Sequence, residues 1–160
     1  MTKANYTALG PLMQSFKDQK VKVLLFPCNQ FLGQEPGQPT AQSANLMSDG
    51  ALDIAATEKV TLMSKVEVNG ANASDIFEFL KYNSPLYSVS KAQSSPIPWN
   101  FSKFLVNPKG GSVYKYYSPK ASFDQVKADI EFLLKDDSPP SVARSRTVTG
   151  ARATGAAMLT

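Results

Sequence analysis

Phe26-Pro27-Cys28-Asn29-Gln30-Phe31 closes an apolar run that begins at Val21, and Gly33-Gln34-Glu35-Pro36-Gly37 follows one residue later. A short apolar run stopped by proline reads as a buried strand, because proline cannot donate to a sheet ladder. Ahead of it, Tyr6, Leu9, Met13 and Phe16 recur at helical spacing, which predicts a helix over residues 2–19. Gly10-Pro11 interrupts that helix. Pro11 lacks a backbone donor, so the expectation is either a kink or a restart with Pro11 as the first helical residue. Behind the run, residues 27–58 are rich in Pro, Gly, Ser, Gln and Ala and read as a long loop, with a short helix near 41–48.

Further along, 60–66 reads as a strand and Asn69-Gly70 as a turn. Asn72 or Ser74 caps a helix reaching about residue 82, with Ile76, Phe77 and Leu80 on its apolar face. Residues 83–98 form a loop. Strands at 101–106 and 113–117 are joined as a hairpin by Asn107-Pro108-Lys109-Gly110-Gly111. Ser122 and Gln125 stand at capping-box spacing ahead of a last helix to 135, whose face is Phe123, Val126, Ile130, Leu133 and Leu134. From Ser138 the chain is Ser, Pro, Ala, Thr, Gly and Arg, which predicts a disordered tail over 138–160. The alternation of helices and strands defines an α/β class.

Composition narrows the chemistry. The length suits one domain, and no stretch approaches the apolar length of a membrane span. The net charge is +4, but Arg144, Arg146 and Arg152 lie beyond the last acid, so the body is close to neutral. That argues against a nucleic-acid footprint, which needs clustered Lys and Arg. The basic tail reads as a solubilising appendage, with contact to an acidic surface as the alternative. There is one cysteine, Cys28, and no histidine. An internal disulfide, a Cys/His metal site and every imidazole-based triad are therefore excluded. A lone thiol favours a reducing compartment such as the cytoplasm; an organelle remains open if a targeting segment has been removed.

About sixty residues after the first block comes Trp99-Asn100-Phe101-Ser102-Lys103-Phe104. Together these strings resemble the glutathione peroxidase family, which carries F-P-C-N-Q-F-x-x-Q-E-P-G and W-N-F-x-K-F. The resemblance covers 1–37 and 60–135 well and 38–59 poorly. It implies a thioredoxin-like fold of glutathione peroxidase type. It also implies a thiol-dependent peroxidase that reduces hydrogen peroxide and organic hydroperoxides, with glutathione or thioredoxin as co-substrate and no bound cofactor. Gln34, Trp99 and Asn100 match the glutamine, tryptophan and asparagine of the family's catalytic tetrad. An indole and two amides are neutral donors that do not titrate. They can hold a sulfur anion and stabilise a departing hydroxide without a histidine.

The fourth member, a cysteine or selenocysteine, belongs to N-V-A-S-x-C-G-x-T. Met1 and Thr2 match its last two positions, so the nucleophile falls two positions before Met1. The same resemblance places a hairpin and a central strand ahead of the first helix. Residues 1–137 are thus expected to form the domain without its N-terminal hairpin and first central strand, leaving the strand at 21–26 with an open edge. An incomplete gene model or a natural truncation follows, with little activity in the chain as written. The alternative is a non-catalytic relative that binds a partner through 38–59 or that sheet edge.

Other residues read as structural. Cys28 matches a family cysteine that is not the peroxidatic one, and no helix N-terminus stands near to acidify it. Asn29 and Gln30 carry amides suited to bonding loop backbone. No second cysteine lies in 40–55 to resolve an oxidised nucleophile. Lys109, Lys115 and Lys120 read as a solvated face, with attraction of an anionic reductant as the alternative. Tyr114, Tyr116 and Tyr117 read as strand packing.

Overall fold

Alternation along Val21–Leu25 (β1) sets the layers. Val21, Val23 and Leu25 are buried on one face of the strand, as a two-residue repeat requires. They meet Leu9, Leu12 and Met13 of α1 (Thr2–Ser15), Phe16 just beyond its end, and Val126 and Ile130 of α3 (Phe123–Lys135). Leu24 turns to the other face, where Phe26, Cys28, Phe31 and Ile97 pack with Phe77 and Leu80 of α2 (Asp75–Tyr82). The sheet therefore carries a core on each side. The computed structural model describes residues 2–35, 59–107, 109, 111–135 and 155–159. The short helix expected near 41–48, and nearly all of the 38–59 segment, lie outside the described residues.

The remaining strands are β2 (Val60–Leu62), the small ribbon β3 (Tyr87–Ser88) and β4 (Gln93–Ser94), β5 (Lys103–Asn107), β6 (Ser112–Tyr117) and β7 (Gly155–Leu159). The main sheet runs β2-β1-β7-β5-β6. β1 lies parallel to β2 and β7, and β5 lies antiparallel to β7 and β6.

Two expectations fail at β7. The strand at 21–26 has no open edge on the β7 side, and the tail 138–160 is not disordered throughout. Residues 155–159 pair with β1 from Val21↔Gly155 to Leu25↔Leu159, and with β5 from Lys103↔Leu159 to Val106↔Ala156. The slot left by the expected missing strand is filled from the far end of the sequence. Composition hid this, because five residues suffice as a strand when ladders on both sides satisfy their backbone groups.

α1 also departs from a restart at Pro11, since it runs unbroken through that residue. A proline inside a helix costs about 3 kcal/mol. Leu9, Leu12, Met13 and Phe16 are all at most 4% exposed, and burying each such side chain contributes roughly 1.5–3 kcal/mol. Packing wins. The strand expected at 60–66 stops at Leu62, although Met63 N–H bonds Leu25 O and Val66 N–H bonds Pro27 O. In α2 the apolar face is Phe77 and Leu80, while Ile76 is exposed.

Candidate active site

Three loops meet beyond the C-terminal end of β1. In the first, Leu32 and Gly33 both take left-handed backbone, with φ of 57° and 62°. Two such residues in succession reverse the chain and present Gln34. Leu32 is 78% exposed, so no apolar burial offsets the roughly 1–2 kcal/mol that a side chain costs there. Hydrogen bonds fix the loop instead. Asn29 Oδ1 accepts from Glu35 N–H (2.9 Å), and Lys65 Nζ donates to Glu35 O. Gln30 Oε1 accepts from Val68 N–H (2.8 Å) and Asn69 N–H (2.9 Å), while its Nε2 donates to Asn69 O (2.8 Å). The amides of Asn29 and Gln30 thus bond loop backbone, as their sequence reading has it.

The second loop carries the tie onward. Asn69 Oδ1 accepts from Ile97 N–H (2.8 Å), and Asn69 Nδ2 donates to Ile97 O (2.9 Å). One side chain thereby serves both backbone groups of a residue that is 1% exposed. Two residues later the third loop turns. Phe101 is left-handed (φ 62°), and Ser102 Oγ donates to Trp99 O (3.1 Å). The strand expected from 101 accordingly starts at Lys103.

These turns bring the amides together across 66 residues of sequence: Asn100 Nδ2 donates to Gln34 Oε1 at 3.1 Å. The Trp99 ring packs against Phe31, with centroids 5.7 Å apart. Tyr6, in the second turn of α1, meets Phe101 edge-on at 5.8 Å, so the cluster sits against the start of the first helix. Burial first, then the Glu35 carboxylate, raises the Tyr6 hydroxyl above its ordinary range. Glu35 Oε1 is buried and has no hydrogen-bond partner among the described residues.

Cys28 lies in the core, in the apolar cluster that includes Phe31. It is 5% exposed, and its Sγ lies 3.7 Å from Gln30 Oε1. Burial raises its thiol; hydrogen bonds at Gln30 and Val68 pull it only partly back. Of the three lysines, Lys115 is paired with Asp129 at 2.7 Å. Tyr114 packs on Phe132, Tyr116 packs on Phe104, and Tyr117 is buried. Among the described residues, no group of three His, Cys, Asp or Glu could hold a metal ion, and no helix is long and apolar enough to cross a membrane. Sequence reading missed Asn69, which looked like a turn residue, and the left-handed Phe101, which nothing in its side chain signals.

Helices layered on both faces of a mixed sheet, with the Gln34 and Asn100 amides joined at one sheet end, define an α/β protein of the thioredoxin-like class. The glutathione peroxidase family model matches residues 1–81. "Probable glutathione peroxidase 5" of Arabidopsis thaliana is 40% identical over 139 residues, covering 85% of this chain and 72% of that protein. A "probable phospholipid hydroperoxide glutathione peroxidase" of Nicotiana sylvestris is 38% identical over 134 residues, covering 84% and 72%. The crystal structure of Trgpx in apo form shares the fold, with a TM-score of 0.54 at 23% identity over 84% of this chain and 70% of that one. The chain belongs to the glutathione peroxidase family.

Proposed function

We propose that this protein is a thiol-dependent peroxidase in which Gln34, Trp99 and Asn100 form the donor set around a sulfur or selenium nucleophile. The observation that carries the reading is the Asn100–Gln34 amide bond beside the start of α1. It brings together two of the three residues that the family motifs single out, and Trp99 adjoins the pair. A thiolate attacks one peroxide oxygen, the O–O bond breaks, and hydroxide or alkoxide leaves with the electron pair. Neutral amide and indole donors stabilise that leaving charge without titrating. Two thiols then reduce the sulfenic or selenenic acid, releasing water and forming a disulfide. Glutathione or thioredoxin is the proposed donor of those thiols, hydrogen peroxide and organic hydroperoxides are the proposed substrates, and a reducing compartment such as the cytoplasm is the proposed location.

Cys28 does not serve as the nucleophile in this scheme, because burial works against its thiolate. The 160-residue chain is therefore expected to consume peroxide no faster than free cysteine. A chain extended by Asn-Val-Ala-Ser-x-Cys-Gly ahead of Met1 is expected to turn over. Gln34→Ala or Asn100→Ala should then cost it about 10²–10³-fold, the usual loss for one such donor. An extended chain without turnover overturns the reading; fast turnover by the unextended chain that Cys28→Ser abolishes moves the chemistry to Cys28. The rival binding role loses part of its support, since β7 covers the edge of β1 it would have used.

A further inference from the structure

Lys103 is the one lysine of β5, and it is only 2% exposed. Its Nζ donates to Phe101 O at 2.8 Å and lies 5.2 Å from the centroid of the Phe123 ring. The acceptor is the carbonyl of the left-handed residue that directly follows Trp99 and Asn100. A phenylalanine in that conformation is strained and relaxes unless its surroundings hold it. The bond from a charged donor is worth roughly ten-fold or more in the balance between this turn and relaxed alternatives.

We infer that Lys103 is a positioning residue for the Trp99–Asn100 pair: its buried ammonium, bonded to Phe101 O, holds the left-handed turn that aims the indole and the amide. The inference builds on the peroxidase reading for its purpose, but the turn itself can be followed without any turnover. Burial brings the Lys103 ammonium down to about 8, so its charge is lost within an accessible pH range. The groups facing it are few. β6 offers Tyr117, whose hydroxyl donates to Asp129 Oδ2 of α3 (2.7 Å), where Lys115 also binds. α1 offers Tyr6 against Phe101, its Leu9 and Leu12 line a small cavity together with Lys103, and residues 155–159 of β7 include no titratable type. Tyr6 and Tyr117 are raised and Asp129 is lowered, so none of them titrates near 8.

The test uses Trp99, the single tryptophan, as its own reporter. Emission and acrylamide quenching are followed from pH 6 to 10 in the wild type, Lys103→Met and Lys103→Arg. The wild type should show one transition near pH 8. Lys103→Met should lack it and hold Trp99 in the quenchable, high-pH state at every pH, while remaining folded, since an apolar isostere replaces a buried charge. Lys103→Arg should keep the low-pH state throughout. Should the arginine fail to fit, the wild-type titration and Lys103→Met decide alone. If Lys103→Met retains the wild-type spectrum, quenching and pH transition, the inference is overturned whatever the extended chain does with peroxide. If the Trp99 signals behave as expected and the extended chain shows no turnover, the positioning role stands and the peroxidase reading fails.

Discussion

Replacing Asn69 with alanine deletes both hydrogen bonds to Ile97 and supplies nothing in their place. Ile97 is 1% exposed, so its N–H and C=O have no easy route to water. Each buried backbone group left unpaired costs about 1–3 kcal/mol, which sets the expected loss at about 2–4 kcal/mol after partial hydration of the relaxed loop. The Gln30 bonds end on Asn69 backbone atoms and survive the change, so the damage is confined to the clamp. For a domain of this size, 1 kcal/mol moves the melting temperature by roughly 2–4 °C. The assay is urea unfolding read by Trp99 emission and by circular dichroism. The exposed Asn72 gives the control: Asn72→Ala should stay within about 0.5 kcal/mol of the wild type. An Asn69→Ala chain as stable as Asn72→Ala would show that the two bonds to Ile97 carry no net energy.

Three further outcomes are expected. Phe77→Ala, which empties a fully buried site between Phe26 and Phe104, should cost about 3–5 kcal/mol by chemical denaturation; a loss under about 1 kcal/mol contradicts the packing described. Burial works to raise the Asp129 carboxyl, but hydrogen bonds from Lys115 and Tyr117 outweigh it and leave it below its ordinary range. Its contribution is then present above an unfolded value of about 3.9 and fades as pH falls through the lower folded one. The stability gap between wild type and Asp129→Asn should accordingly be widest above about pH 5 and close in acid; a gap that widens in acid reverses the sign. Deleting residues 155–160 strips β1 and β5 of a ladder each, and the expected result is loss of a cooperative melt together with light scattering from aggregates. A truncated chain that melts like the intact one removes β7 from the core.

Much of this architecture could be read without coordinates, and the reasons are local. The strand at Val21–Leu25 announces itself by an apolar run ending at Pro27, and the helices by faces such as Phe77 and Leu80. Gln34 and Asn100 were legible because long literal strings surround them, and their meeting follows from the fold that those strings imply. Asn69 was not legible, since an asparagine before glycine looks the same whether it merely turns the chain or grips Ile97 across 28 residues. Phe101 and Leu32 adopt backbone usually left to glycine, a choice made by tertiary bonding rather than by their side chains. β7 escaped notice because its stability comes from neighbours distant in sequence, and local propensity carries no trace of them.

The placement of β7 has a consequence for how the molecule folds. β1 and β7 lie side by side although about 130 residues separate them in sequence. Closing so long a loop costs entropy before the ladder returns any hydrogen bond. The local ribbon of β5 and β6 is therefore expected to zip early, and the seam between β1 and β7 to be the slow step of assembly.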